Sequence, residues 1–406
     1  MIKDLGLQFN FVAYEQVERS ALSKYRVFIL PFSMALSPEE AKAIREFAAS
    51  GGIVIADASA GVMDDHCGWQ RDGLLNDLFG IAAPSSQERR LAGSTVLEHN
   101  ADGDITGERQ APGVIGPARV TAEGTRWALE ETALGGIEAV ETGVRADGGR
   151  ALLRIGETDA VVVRQTGAGW AIYLNLLLDR YPEARSKGFG GTGYRNLVRA
   201  LLNRLGIRPA VRVLTSDGKP LGQAQVVRYR FGESEALVVI KENVGLEGVA
   251  GRDGVTVYSD ARLGNLLREE IMIELPGKRQ VSNITTGEIL GEREVVRTSI
   301  LGGGALVLGL NAVQPAVSVA GPASGRRGEA LRFAVKVTPS GRRIIRCHFH
   351  APDGSFMPVY ARNVLIEGSE GSVMFPSAHN DPAGDYRLQV TDVVSGAAAS
   401  TGFSLR

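Results

Sequence analysis

The residues with the clearest chemical potential are Asp57-Ala58-Ser59-Ala60-Gly61, which end in Ser-x-Gly after a short apolar run. A nucleophile on a sharp strand-to-helix turn needs small neighbours, because its backbone is strained and closely packed. Ala58, Ala60 and Gly61 meet that need, while Asp57 stands where a first glycine would. Ser59 would also require a base and an orienting acid, yet His66, His99, His348, His350 and His379 follow in no pattern that spells a triad. A turn serine is the expectation, so no catalytic residue is assigned; hydrolysis through Ser59 is an alternative.

Other clusters invite weaker chemistry. Asp64-Asp65-His66-Cys67 places four possible ligands in one loop, but consecutive side chains diverge and metal sites take wider spacings, so a solvated loop is expected. His348 and His350 share a strand face with Arg346 and lack an evident third ligand, while Ile345, Cys347 and Phe349 share the other, apolar face. The GFGGTG run at 188–193 precedes a helix but lacks the Lys-Ser/Thr ending of a nucleotide loop. Asp179, Arg180 and Tyr181 could hold a polar ligand or form a salt bridge, and Trp69, Phe189, Tyr194 and Tyr360 read as exposed aromatics able to stack on sugars. No metal and no cofactor is expected.

The elements that must position Ser59 are legible. Residues 25–30 form an apolar run stopped by Pro31, as in a buried parallel strand. Ser37 as N-cap, Pro38 in the first helical position, Glu40 three residues after the cap and Gly51-Gly52 as the stop define a helix. Its buried stripe is Ala41, Ile44, Phe47 and Ala48, and residues 53–56 form the next strand, at whose carboxyl end open α/β sheets place their sites. Upstream, residues 8–13 alternate as a strand and 14–22 read as a short helix. Residues 1–6 read as the tail of a helix, so the chain is expected to be the C-terminal part of a longer polypeptide.

Downstream, 73–81 suggest a short helix, and about 82–165 change to short β-type runs, among them 94–97, 136–140 and 151–155, read as a β-rich insertion. The α/β pattern resumes with a buried strand at 170–177 and a helix at 194–205, ended by Gly206 and blocked by Pro209. The first domain should close near 210. Beyond it, runs at 226–229, 236–240, 271–275, 295–299 and 305–308 predict a β-sandwich over 211–315. Runs at 331–337, 343–349, 371–375, 386–391 and 401–405 predict a second, immunoglobulin-like sandwich over 316–406. The expected fold class is therefore multidomain, α/β plus all-β, with a flavodoxin-like parallel sheet first.

Charge excludes some partners: 45 Lys plus Arg against 46 Asp plus Glu leave no field that would favour nucleic acid or an anionic membrane. No apolar run is long enough to cross a bilayer, and MIKDLGLQ lacks the basic and apolar regions of a leader. Cys67 and Cys347 fall in different expected domains and define no disulfide framework.

Residues 25–61, GLLNDLFGI at 73–81 and WAIYLNLLLDRY at 170–181 resemble the trimerisation domain of glycoside hydrolase family 42 β-galactosidases, a class I glutamine amidotransferase-like fold. The resemblance covers roughly the first half of the chain. In that family the domain follows a catalytic barrel carrying both glutamate catalysts, and this sequence contains no barrel. Active amidotransferases have a Gly-x-Cys-x-Gly elbow and a later His-x-Glu pair; here Ser59 stands at the cysteine's position, and no His-x-Glu occurs. MPVYARNVL and NDPAGDYRLQVTDVVSG resemble immunoglobulin-like or macroglobulin-like modules of bacterial secreted proteins. The resemblance implies a non-catalytic assembly or accessory region in carbohydrate metabolism, with a homo-oligomer through the α/β domain and an upstream catalytic domain as expected partners. A carbohydrate-binding or surface-interaction role through the sandwiches is the alternative.

Overall fold

The computed structural model describes residues 1–19, 21–84, 95–100, 102, 105–110, 117–135, 137, 139, 141–178, 181–182, 191–241, 249–250, 256–257 and 268–406. The chain divides into two compact units, one of Met1 and Phe9–Arg208, the other of Ile2–Gln8 and Pro209–Arg406.

In the first unit, α1 (Tyr14–Glu18) leads to β1 (Val27–Leu30), α2 (Pro38–Ala49), β2 (Ile53–Ala56) and α3 (Asn76–Phe79). The α2 cap forms as its sequence predicts: the Glu40 amide donates to Ser37 Oγ at 3.0 Å and the Ser37 amide to Glu40 Oε2 at 2.8 Å. A cap of this kind contributes about 1 kcal/mol. Further along lie β3 (Ala118–Val120), α4 (Ala122–Arg126), β4 (Arg150–Ile155), β5 (Thr158–Thr166), β6 (Gly169–Leu174) and α5 (Thr192–Arg204). The sheet order is β1-β2-β6-β5-β4-β3. Val27 and Trp170 both register with Ile53 in parallel pairs, which brings the carboxyl ends of β1, β2 and β6 together.

The sheet is mixed rather than parallel throughout. Only two residues separate β4 from β5 and β5 from β6, and so short a connection can join strands only antiparallel. Much of the β-rich stretch therefore extends the main sheet. Residues 8–13 form no strand, against expectation: Phe9 and Phe11, which share one alternation phase, are exposed, so that pattern faces no core. The core beneath the sheet joins Leu30, Ile44, Phe47, Val54, Phe79 and Tyr173.

The second unit is β-structure in two larger sheets, antiparallel except where Ser324–Gly325 pairs Ser404 and Leu405 in parallel. The first contains β7 (Arg212–Thr215), β8 (Ala224–Phe231), β9 (Ser234–Lys241), β10 (Arg268–Asn283), β11 (Ile289–Leu301) and β12 (Ala305–Asn311), in the order β7-β10-β12-β9-β8 with β11 on β10. The second contains β13 (Ala316–Ala320), β14 (Ala330–His350), β15 (Arg362–Pro376), β16 (Gly384–Asp392) and β17 (Ala398–Leu405). The runs expected as separate strands at 331–337 and 343–349 are one strand, β14, whose register with β15 shifts between Lys336 and Gly341. Before the shift β14 pairs β13, and beyond it β16, so one strand serves two neighbours by turning a corner. The two sheets approach closely: a Cβ on Gly309 would lie 1.6 Å from the Val394 carbonyl oxygen, and Ser282 Oγ donates to that oxygen at 2.6 Å.

Candidate functional site

At the carboxyl end of β2, Ser59 adopts a φ of 65°, a left-handed conformation that costs a non-glycine residue about 1–3 kcal/mol. This is the backbone of a sharp elbow, at the position the sequence indicates. Asp57, fully buried, holds the strand ends on either side. Its Oδ1 accepts the Phe32 amide just beyond β1 at 2.5 Å, and its Oδ2 accepts the Leu178 amide beyond β6 at 3.2 Å. A glycine here would leave both amides without these acceptors, which accounts for the departure from a Gly-x-nucleophile pattern.

Ser59 Oγ donates to Glu141 Oε1 at 2.5 Å, and the Tyr173 hydroxyl donates to Glu141 Oε2 at 2.5 Å. The Tyr173 oxygen in turn accepts the Ser59 amide at 3.2 Å. Asn175 fixes the Glu141 backbone from both sides, its Oδ1 accepting the amide and its Nδ2 donating to the carbonyl, each at 2.8 Å. Ser59 is 3% exposed, Glu141 0% and Tyr173 1%. A carboxyl group thus occupies the place of a serine's base, inside a closed polar network.

Glu141 carries no spacing signal in the sequence, where it follows Glu138 in the stretch GGIEAVETG with nothing to single it out. Asn175 was not singled out either, though a polar residue within the apolar run WAIYLNLL carries a signal, since an amide in a buried run must find partners.

The remaining candidates fall elsewhere. The ligand atoms of Asp64, Asp65 and His66 lie within 4.8 Å of one another. Asp64 Oδ1 accepts the His66 and Gly68 amides at 3.0 and 2.8 Å and Oδ2 accepts Gln70 Nε2 at 2.9 Å, so this carboxylate closes its own loop. Cys67 is exposed. On β14, Ile345, Cys347 and Phe349 are buried and Arg346 exposed, the alternation the sequence predicts. Burial pushes the Cys347 thiol up to about 11, and burial together with Arg346 and His350 lowers His348. Trp69 is exposed, but Tyr194 and Tyr360 are buried rather than available for stacking. Tyr194 meets Tyr181, itself buried, edge to face, and the Tyr360 hydroxyl donates to Asp381 Oδ2 at 2.8 Å. Asp179, Arg180 and the first half of GFGGTG, Phe189 included, lie outside the described residues; Gly191, at a φ of 64°, caps α5.

Comparison with solved structures finds likeness to beta-galactosidases. The enzyme from Bacillus circulans sp. alkalophilus superposes with a TM-score of 0.44 at 16% identity, over 76% of this chain and 36% of that one. A GH42 beta-galactosidase from G. stearothermophilus gives 0.43 at 14% identity, over 76% and 35%, and the cold-adapted enzyme from Rahnella sp. R3 gives 0.43 at 16%, over 76% and 35%. The chain therefore spans 36% or less of the length of these structures. Comparison with curated proteins finds no match. Residues 1–109, which include α2, β2 and the Ser59 elbow, match the family model of the beta-galactosidase trimerisation domain.

Proposed function

We propose that this chain is a non-catalytic assembly and accessory region of a beta-galactosidase-like protein: an amidotransferase-like α/β domain over 1–210 that brings copies together, then β-sandwich modules over 211–315 and 316–406, the last immunoglobulin-like. The observation that carries the reading is the family match over 1–109. The surface of that region supports it. Phe9 and Phe11 pack edge to face with centroids 5.3 Å apart while remaining 46% and 90% exposed, and Tyr14 nearby in sequence is 63% exposed. Large aromatic side chains left in water at this density mark a surface that is covered by a partner. The closed elbow fits the same reading, because a nucleophile whose hydroxyl is buried against Glu141 is out of a substrate's reach.

Sedimentation equilibrium on the purified chain tests the proposal. A trimer is expected, with Phe11→Ser/Tyr14→Ser shifted toward monomer while retaining its circular dichroism spectrum. A wild-type chain that stays monomeric at high protein concentration would overturn it.

A further inference from the structure

The last sheet concentrates positive charge on its outer face. Residues 316–406 carry ten Lys and Arg against seven Asp and Glu, whereas the whole chain is balanced at 45 against 46. Beyond the register shift in β14, Ile345, Cys347 and Phe349 are buried, so Arg346, His348 and His350 share the opposite, outer face. On β16 the same alternation buries Tyr386, Leu388 and Val390 and turns Arg387 and Gln389 outward. Register sets Gln389 directly across from His348 and Arg387 across from His350, and Ser400 of β17 stands across from Gln389.

These cations lie in a line and go unanswered. Arg346 and Arg387 are exposed, and among the described residues neither forms an ion pair with a carboxylate. Asp385, two residues before Arg387 on the same face, registers with Ser404 beyond the end of the row and makes no bridge to it. Burial, Arg346 and His350 together hold His348 below the ordinary imidazole range, so these groups act on one another across the face. Arg387 directly opposite His350 becomes a like-charge pair when the imidazole is protonated, an arrangement that destabilises a sheet unless an anion meets it. The line from Arg346 to the His350–Arg387 pair runs about 13 Å along the strand, more than one small anion spans. Beside it Phe356, 46% exposed, forms an isolated bridge with His350, and its ring centroid lies 4.8 Å from that of His348 and 6.1 Å from that of His350.

We propose that the outer face of the β14–β16–β17 sheet binds an extended anionic polysaccharide. Acid groups spaced along such a polymer answer Arg346 at one end of the line and Arg387 at the other, each guanidinium offering a fork that matches an oxyanion. The C–H faces of the sugars lie on the Phe356 ring, and their hydroxyls meet Gln389 and Ser400. An acidic peptide fits this surface less well. Extended peptides gain affinity by adding a strand to a free edge, and here the backbone groups between the three strands are already paired with one another.

Isothermal titration of the full chain with dextran sulfate, with uncharged dextran and with poly-L-glutamate tests the face. Dextran sulfate should bind saturably and more weakly as salt rises, and dextran should not bind. Poly-L-glutamate, which brings charge without a sugar ring, should bind about threefold more weakly or worse. Arg346→Gln and Arg387→Gln should each weaken dextran sulfate about threefold, as loss of an exposed charge pair does, and Phe356→Ala should cost a similar factor. Arg297→Gln, which removes another exposed arginine, on β11, should change nothing. All four side chains are exposed, so the variants keep the core intact, which circular dichroism verifies. Absence of saturable binding to dextran sulfate, an affinity for poly-L-glutamate equal to it, an unchanged affinity in Phe356→Ala, or an equal loss in Arg297→Gln would overturn the proposal; the second of these results would assign the face to an acidic peptide.

Discussion

Glu141 in the first unit and Asp392 in the second are both fully withdrawn from solvent, yet Glu141 is met by the Ser59 and Tyr173 hydroxyls and Asp392 by the Arg343 guanidinium. Around Glu141, the polar groups that hold the elbow answer one another: the Ser59 and Tyr173 hydroxyls meet its two oxygens and Asn175 meets its backbone. Around Asp392 the arrangement leaves a donor over, because Arg343 Nε is buried with no acceptor among the described residues. A region that most resembles a catalytic site in backbone geometry is therefore the one whose polar groups are internally consumed. A plain β-region is the one that leaves a buried guanidinium donor unmet.

The contrast can be broken by removing each lock. Arg343→Ala should have the largest effect, a loss of about 3–5 kcal/mol, because it strands the Asp392 carboxylate in the interior. Asp57→Ala should follow, with about 2–4 kcal/mol lost as the buried amides of Phe32 and Leu178 lose their acceptor. The two can be read separately in one denaturant titration. Trp69, Trp127 and Trp170 all lie within Phe9–Arg208, so tryptophan fluorescence reports the first unit, whereas far-UV circular dichroism reports both. Asp57→Ala should move the fluorescence transition; Arg343→Ala should move the dichroism-detected transition and leave fluorescence in place. Coincident shifts by both probes for both variants would mean that the units do not unfold as separate locks.

The smallest effect sharpens the comparison most. At a φ of 65° glycine is unstrained and alanine is not, while both lose the bond to Glu141. Ser59→Gly should therefore be about 1 kcal/mol more stable than Ser59→Ala by the same fluorescence-detected titration. Equal stabilities would show that the elbow relaxes once the hydroxyl is gone, and that Glu141 rather than the chain fold imposes the conformation.

Where local chemistry decides structure, the sequence was a sufficient guide. The Ser37–Glu40 cap and the apolar run at Ile53–Ala56 specify α2 and β2, because caps and buried runs act over a few residues. The face alternation from Ile345 to His350 was legible for the same reason, since a strand's period is two. The signal for Asp57 was also present as a broken glycine pattern, though its meaning was not, because the amides it serves belong to strands flanking it in space.

What only the tertiary structure decided is long-range pairing. The tight connections at Gly156-Glu157 and Gly167-Ala168 each begin with a glycine, but their consequence, that β4 and β5 extend the parallel core antiparallel, depends on which edge they join. The exposure of Phe9 and Phe11 reverses an alternation that reads as a strand, since alternation says which residues share a face and not whether that face meets a core. Ser59 and Glu141 are 82 residues apart and Arg343 and Asp392 are 49 apart. The sequence by itself determined that a tight turn of small residues follows β2, that the histidines spell no triad with Ser59, and that β-rich stretches follow. The fold alone determined that the elbow's hydroxyl meets Glu141 and that Arg343 meets Asp392, because side chains meet through packing and not through spacing along the chain.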